Sequence, residues 1–325
     1  MLRFILAAAL ATSAASAAVD CGQAQSTPRT ITLVVPFPAG GPTDAIGRIA
    51  ADGLQSALGQ PVIVENVPGA TGSIGVGRVA RAEADGYTLV LGTVATHVFN
   101  GAAYQLKYDV VKDFEPISLV AFDPQIIAVK KTLPVAALSQ LVTWLKERSG
   151  DAVAGTAGIG STSHVSAVRF QSLTGTQFRF VPYRGLGPAM VDLVGGHIDI
   201  LFDLAGNSVP QVREGTIKGL AVTAPRRLAS APDIPTVDEA GLPGFHFLNW
   251  HAIWAPRGIS ADVAVRLNAA VRTLLADQRS VRRLAEIGQQ IPAPEQQTRQ
   301  ALADYQNEEI VRWWPVIKAA NIQGE

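Results

Sequence analysis

The stretch Ile31-Thr32-Leu33-Val34-Val35-Pro36-Phe37-Pro38-Ala39-Gly40-Gly41-Pro42-Thr43-Asp44 joins an apolar run to a helical pattern through a loop of small residues. Ile31 to Pro36 predicts a strand. Over Asp44 to Leu58, the residues Ile46, Ile49, Ala50, Leu54, Ala57 and Leu58 recur at the spacing of one helix face. Thr43 is placed to cap that helix and Gly59 to end it. A helix with one apolar face after a buried strand packs on a sheet, so the unit predicts an α/β fold.

The same alternation continues downstream. Strands are predicted at Val62 to Glu65, Thr88 to Gly92, Ile117 to Ala121, Ile126 to Val129, Ala152 to Thr156, Ile198 to Phe202 and Gly219 to Thr223, with helical stretches between most of them. This predicts mostly parallel sheets. Pro116 to Lys130 reads as one long extended stretch broken at Asp123-Pro124, suited to pass between two lobes as a hinge, with a return near Ile217 to Ala224. Leu242 to Pro256 is a further extended segment, and Val263, Leu267, Ala270, Val271 and Leu274 mark an amphipathic helix after it. The expected division is a first lobe of residues 27–122 and 224–325, a second of 123–223, and a ligand cleft between them. No short repeat and no low-complexity tract interrupts the chain after its first segment.

A second loop, Gly155-Thr156-Ala157-Gly158-Ile159-Gly160-Ser161-Thr162-Ser163, has the same setting after a strand and before a helix that should end at Gly175. At both junctions the first helical N–H groups lack intrahelical acceptors, and the helix dipole adds partial positive charge. An anion is favoured there without a lysine, and glycine lets the backbone come close to it. Two such loops in separate lobes would grip opposite ends of a dicarboxylate, and closure about the hinge would strengthen both contacts.

With 325 residues, 48% of them hydrophobic, the chain has material for two cores. Formal net charge is zero with 17% charged residues, which gives no footprint for nucleic acid. Arg3, the apolar run Phe4 to Leu10 and the small residues Ala14 to Ala18 form the pattern of a secretory signal peptide over residues 1–18, with the mature chain starting near Val19. That apolar run is shorter than the roughly 20 residues a membrane span needs. The single cysteine, Cys21, makes no internal disulfide, and Asp20 before it is a poor match for lipid attachment.

Several strings carry a resemblance to a known family. They run from Val35-Pro36-Phe37 through Gly40-Gly41 to Asp44, then Val64-Glu65-Asn66 with Pro68-Gly69-Ala70, and Asp85-Gly86-Tyr87-Thr88-Leu89. They continue through Val181-Pro182-Tyr183-Arg184-Gly185, Gly195-Gly196-His197-Ile198-Asp199, Leu220-Ala221-Val222-Thr223 and Pro235-Thr236-Val237-Asp238-Glu239-Ala240-Gly241. Together these resemble the Bug family of extracytoplasmic solute receptors of tripartite tricarboxylate transporters, over nearly the whole mature chain. The resemblance implies a two-lobed periplasmic binding protein of the type II, Venus-flytrap kind, acting as a monomer and passing a small carboxylate to membrane permease subunits. It also implies that backbone amides of Phe37 to Thr43 and Gly158 to Thr162 hold the ligand. Where many relatives carry Asp-Asn-Leu-Pro-Ser, this chain has Asp203-Leu204-Ala205-Gly206-Asn207-Ser208, which leaves ligand identity open at that segment.

The ligand-binding residues expected are therefore Phe37, Ala39, Gly40, Gly41, Thr43, Thr93, Gly158, Ile159, Gly160, Ser161, Thr162 and Asp203. Asp203 ends a strand and is placed either to accept a hydrogen bond from a ligand or to cap the next helix. Asp44 reads as a loop brace, since its charge would repel an anion. Thr96, Thr71 and Gly72 are further candidates for the cleft wall, and Arg184 for a bidentate contact to a carboxylate. His164 reads as helix surface. Trp250 and Trp254 share a strand face, in the cleft or in the core; Trp313 and Trp314 read as core.

Gly75-Val76-Gly77-Arg78-Val79-Ala80 matches the dinucleotide pattern loosely but lies within a predicted helix. No nucleophile elbow, P-loop or zinc cluster occurs, and the five histidines are scattered, so neither enzyme nor cofactor nor metal site is expected. An exported enzyme acting on a carboxylate, or a sensor-kinase partner, stands as the alternative. Main-chain donors recognise carboxylates in general, so C4 dicarboxylates, citrate-like acids, acidic amino acids and aromatic acids all fit, and a neutral ligand such as nicotinamide stays open.

Overall fold

The computed structural model describes residues 29–324. The signal-peptide segment, its cleavage near Val19 and Cys21 lie outside the described residues. Nine strands and ten helices follow in the order β1 (Ile31–Val35), α1 (Pro42–Leu58), β2 (Val62–Asn66), α2 (Ser73–Ala80), β3 (Thr88–Thr93), α3 (Asn100–Ala103), β4 (Phe114–Lys130), α4 (Leu138–Glu147), β5 (Val153–Thr156), α5 (Thr162–Thr174), β6 (Arg179–Pro182), α6 (Leu186–Gly195), β7 (Ile200–Leu204), α7 (Ala205–Arg213), β8 (Ile217–Val222), β9 (Leu248–Pro256), α8 (Ala261–Ala276), α9 (Gln278–Glu286) and α10 (Arg299–Ala319). No helix among the described residues is long and apolar enough to cross a membrane.

The strands form one curled sheet in the order β2-β1-β3-β9-β4-β7-β5-β6, with β8 also on β4. Its organiser is β4, whose 17 residues span roughly 55 Å at about 3.3 Å per residue. From Phe114 to Pro124 it pairs with β9, and from Gln125 onward with β7 and β8. Proline cannot donate to a ladder, and Pro124 sits where the partner changes. Next to it, the Gln125 amide donates to Thr223 Oγ1 at 2.9 Å.

The outer strands are parallel, β2-β1-β3 on one side and β7-β5-β6 on the other. The inner pairs β3-β9, β4-β9, β4-β7 and β4-β8 are antiparallel. The mostly parallel sheets expected from βα alternation are thus mixed at their centre. The physical reason is that β4 leads the chain out of the first group of strands and β9 leads it back, so the two cross the centre in opposite directions. The return from the second half is also not at Ile217 to Ala224: β8 stays in the second half, and β9 makes the return.

Four apolar clusters fill the two halves. Two are built from residues of 31–121 and 247–322, joined by Val165, and two from residues of 126–245. The face of α1 carrying Ile46, Ile49, Ala50 and Leu54 packs into the first. Helix and strand approach so closely that a Cβ on Gly47 would lie 2.6 Å from Val35 Cγ2. Trp250 and Trp254 share a face and are core, buried with ring centroids 5.8 Å apart. Trp313 is buried and Trp314 partly so.

Gly59 and Gly175 end α1 and α5 in the left-handed conformation, as the spacing predicts. Thr43 is not the cap of α1. The helix begins earlier, with Gly41 at the N-cap and Pro42 in the first turn, where its fixed φ and missing N–H cost nothing.

Candidate functional site

The first loop, between β1 and α1, is held from below by Asp44. Its Oδ2 accepts from the Gly40 amide and from Arg48 Nε, both at 2.9 Å, and its Oδ1 accepts from Asn66 Nδ2 at 3.0 Å. Asn66 Nδ2 also donates to the Phe37 carbonyl at 3.1 Å. Burial alone would raise the Asp44 carboxyl; the hydrogen bonds from Arg48, Gly40 and Asn66 outweigh it and hold the group below its ordinary range. Asp44 is a brace, with its charge spent inside the loop.

The second loop, between β5 and α5, is organised by its own hydroxyls. Ser161 Oγ caps α5 by accepting from the His164 amide, and Ser163 Oγ accepts from the Ala157 amide at 2.8 Å. Gly158 has φ of +115°, and a Cβ there would meet Thr71 Oγ1 at 2.9 Å, so glycine is required twice over. That contact arises because the loop lies against the first half: the Ile159 carbonyl accepts from both Thr71 Oγ1 and the Tyr104 hydroxyl at 2.8 Å.

A third strand-to-helix loop, between β6 and α6, joins these two, and a Cβ on Gly185 would lie 3.3 Å from Pro38 Cδ. The N-termini of α1, α5 and α6 therefore converge on one cavity of about 60 Å³. By the same measure one water needs roughly 10–15 Å³, so the space suits a small ligand. Among the described residues that line it, none is charged. Within the described residues, the amides of Ala39, Gly41 and Thr43 at α1, Thr162 at α5, and Leu186 and Gly187 at α6 find no acceptor. Unclaimed N–H groups at three helix N-termini favour an anion by geometry and dipole together.

Phe37, Ala39, Gly41, Thr43, Thr93, Ser161 and Thr162 all line this cavity. Gly158 and Ile159, with Phe37 again, line a wider mouth of about 580 Å³ beside it, where Arg184 is exposed. Three expected residues are not in either wall. The Gly40 amide is taken by Asp44, and the Gly160 amide donates to His164 Nδ1 at 3.2 Å. Asp203 is buried and turned inward, accepting from Asn207 Nδ2 at 3.1 Å and Ser208 Oγ at 2.5 Å. His164 is not plain helix surface: it is half-buried, edge-on to Phe180 at 4.8 Å. Thr96 is buried and braces Thr93, whose amide donates to Thr96 Oγ1 at 2.8 Å.

The expected ligand-binding residues leave out Pro38, Pro42, Ala95, Ala157, the Gly185–Pro188 loop, Leu204 and Asn249, all of which line the cavity, although Pro38, Pro42 and Ala157 stand in the two loops singled out from the sequence. The Gly185 loop had a signal, since it repeats the strand, glycine, helix order. Asn249 had none: only the pairing of β9 with β4, more than a hundred residues away, brings it there.

Known proteins resemble the chain in both sequence and fold. The model of the family described as "Tripartite tricarboxylate transporter family receptor" matches residues 46–322. The solved periplasmic binding protein BugD is 33% identical, with a TM-score of 0.85, and the match covers 90% of this chain and 98% of that one. MatC from Rhodopseudomonas palustris with bound malate is 38% identical, with a TM-score of 0.84 over 89% of this chain and 98% of its own. An R. palustris protein with adipate is 34% identical, with a TM-score of 0.86 over 90% and 98% of the two chains.

Proposed function

The chain belongs to the tripartite tricarboxylate transporter receptor family, and from that premise we propose that it is an exported receptor for a small carboxylate of the dicarboxylate class. It captures the ligand between the loops Phe37 to Thr43 and Gly158 to Thr162 and delivers it to the membrane permease subunits of a tripartite transporter. The observation that carries this reading is the uncharged cavity into which three helix N-termini turn unclaimed amides. Malate and adipate, held by two relatives of this fold, are both dicarboxylates, and they support the class.

In this reading the lobes are residues 29–122 with 246–324, and residues 123–245. The boundary near 245 differs from one at 224, because Ala224, Leu228, Ile234, Val237 and Phe245 pack into the clusters of the second half. The hinge lies where β4 changes partners at Asp123-Pro124 and where β9 begins. Closure removes water from the ligand's carboxylates, which strengthens hydrogen bonds to fixed amides.

The test is a thermal shift of the chain from Val19 onward against a panel of mono-, di- and tricarboxylates. A ligand bound only by the native state raises the unfolding midpoint. Gly41 has φ of −85°, and a Cβ there meets only the Pro38 carbonyl oxygen at 3.5 Å, so Gly41→Leu introduces bulk without backbone strain. A shift with a dicarboxylate that vanishes in Gly41→Leu is expected. No shift with any carboxylate, or one that survives Gly41→Leu, contradicts the reading.

A further inference from the structure

Asn249 stands out on the cavity floor. It lies on β9 directly opposite Asp123 of β4 and is 1% exposed. It lines the cavity together with Thr93 and Leu204. Among the described residues, neither its Nδ2 nor its Oδ1 has a hydrogen-bond partner. Its neighbour on the same strand face, His251, is engaged with Thr43 Oγ1 through Nε2 at 3.2 Å. A buried amide with both its donor and its acceptor unclaimed, set in the wall of a binding cavity, calls for a partner there.

The chemistry of that partner follows from the amide. A carboxylate oxygen only accepts, so it satisfies Nδ2 and leaves Oδ1 facing it unpaired. A hydroxyl or an ammonium donates to Oδ1, and a hydroxyl can also accept from Nδ2. The loops already supply donors for carboxylates, through main-chain amides that say nothing about the rest of the molecule. A site built to hydrogen-bond a substituent rejects the analogue that lacks it, because its own polar atoms are then left unsatisfied.

We propose that Asn249 is a specificity-determining residue that selects carboxylates bearing a hydrogen-bond-donating substituent, hydroxyl or amino, over the unsubstituted acid of the same length. This rests on the carboxylate-receptor reading above and adds to it the class of side group recognised.

The experiment measures dissociation constants by calorimetry for matched acids: malate, aspartate and succinate, and 2-aminoadipate against adipate. The native chain is expected to bind at least one substituted acid about tenfold or more tighter than its unsubstituted counterpart. Malate against aspartate then tells hydroxyl from ammonium. In Asn249→Leu, which keeps the branched shape with two methyl groups in place of the amide oxygen and nitrogen, that ratio falls to within about twofold of one, because the substituted acid loses more affinity than the unsubstituted one. Asn249→Ser gives the same readout should the leucine variant not fold, and melting curves verify both. No preference in the native chain, or a preference unchanged in the variants, overturns the role of Asn249 and leaves carboxylate capture standing. Absence of binding by every acid in the set overturns both.

Discussion

Asp203 and three histidines carry opposite pH dependences within one fold. Burial raises the Asp203 carboxyl to about 7, despite hydrogen bonds from Ser208, Asn207 and the Leu204 amide. A group whose folded pKa is raised keeps a proton that the unfolded chain has released. Its contribution is therefore full below about 3.8 and is lost as pH rises through about 7. Asp123, pushed well above its ordinary range by burial and by the Asp203 charge, acts in the same direction. Burial lowers His97 and His251 to about 3 and His164 to about 4, so their contribution is present above 6.5 and is lost as pH falls. Each group changes stability by up to about 1.4 kcal/mol per pH unit, and three histidines outweigh two aspartates. Urea unfolding between pH 6.5 and 4 is expected to show falling stability, and Asp203→Asn to steepen that fall by up to about 1.4 kcal/mol per pH unit. An unchanged or shallower slope in the variant would exclude a proton held on Asp203.

At the scale of elements, the turn before α2 works as a latch. Ala70 and Thr71 have φ of 44° and 49°, a left-handed conformation costing roughly 1–2 kcal/mol per residue outside glycine. Asn100 Nδ2 holds the Thr71 carbonyl at 3.0 Å, so the strained turn aims the Thr71 hydroxyl at Ile159 on the second loop. The Tyr104 hydroxyl donates to the Ile159 carbonyl, at 2.8 Å. Because this contact joins the two halves only when the loops meet, Tyr104→Phe is expected to weaken ligand binding about threefold to tenfold while leaving the order of preference among ligands unchanged. Calorimetry on the variant checks it; unaltered affinity would mean the contact does not contribute to closure.

Elements were legible where their cause is local. Glycine and apolar spacing place β1, α1, the second loop and α5 within a residue or two, because strand, turn and cap are decided by neighbours in sequence. The start of α1 falls two residues before the Asp44 that the apolar spacing indicates, because Gly41 caps the helix and Pro42 opens it where the sequence reading takes Thr43. β6 gives no strand signal in the sequence, its four residues being mostly exposed at the sheet edge. The direction of β9 and the return it makes depend on pairing with β3 and β4, which no local pattern encodes. The site divides in the same way: loop residues announced themselves through glycine, whereas Asn249 belongs to the cavity only through strand register, and Asp203 left it through Asn207 and Ser208.

At the scale of the whole molecule, the proposed function requires that one anionic ligand is gripped by main-chain amides from both halves at once, brought together by a sheet whose long strand β4 passes between them. The amides of the two loops report this without any substitution. The most direct measurement follows the backbone amide resonances of Ala39, Gly41, Thr43 and Thr162 in isotope-labelled protein during titration with malate and with adipate. Amides of both loops are expected to shift together along one binding curve with at least one of the two acids. Shifts confined to one loop, or saturation of binding with all four amides unmoved, would contradict it.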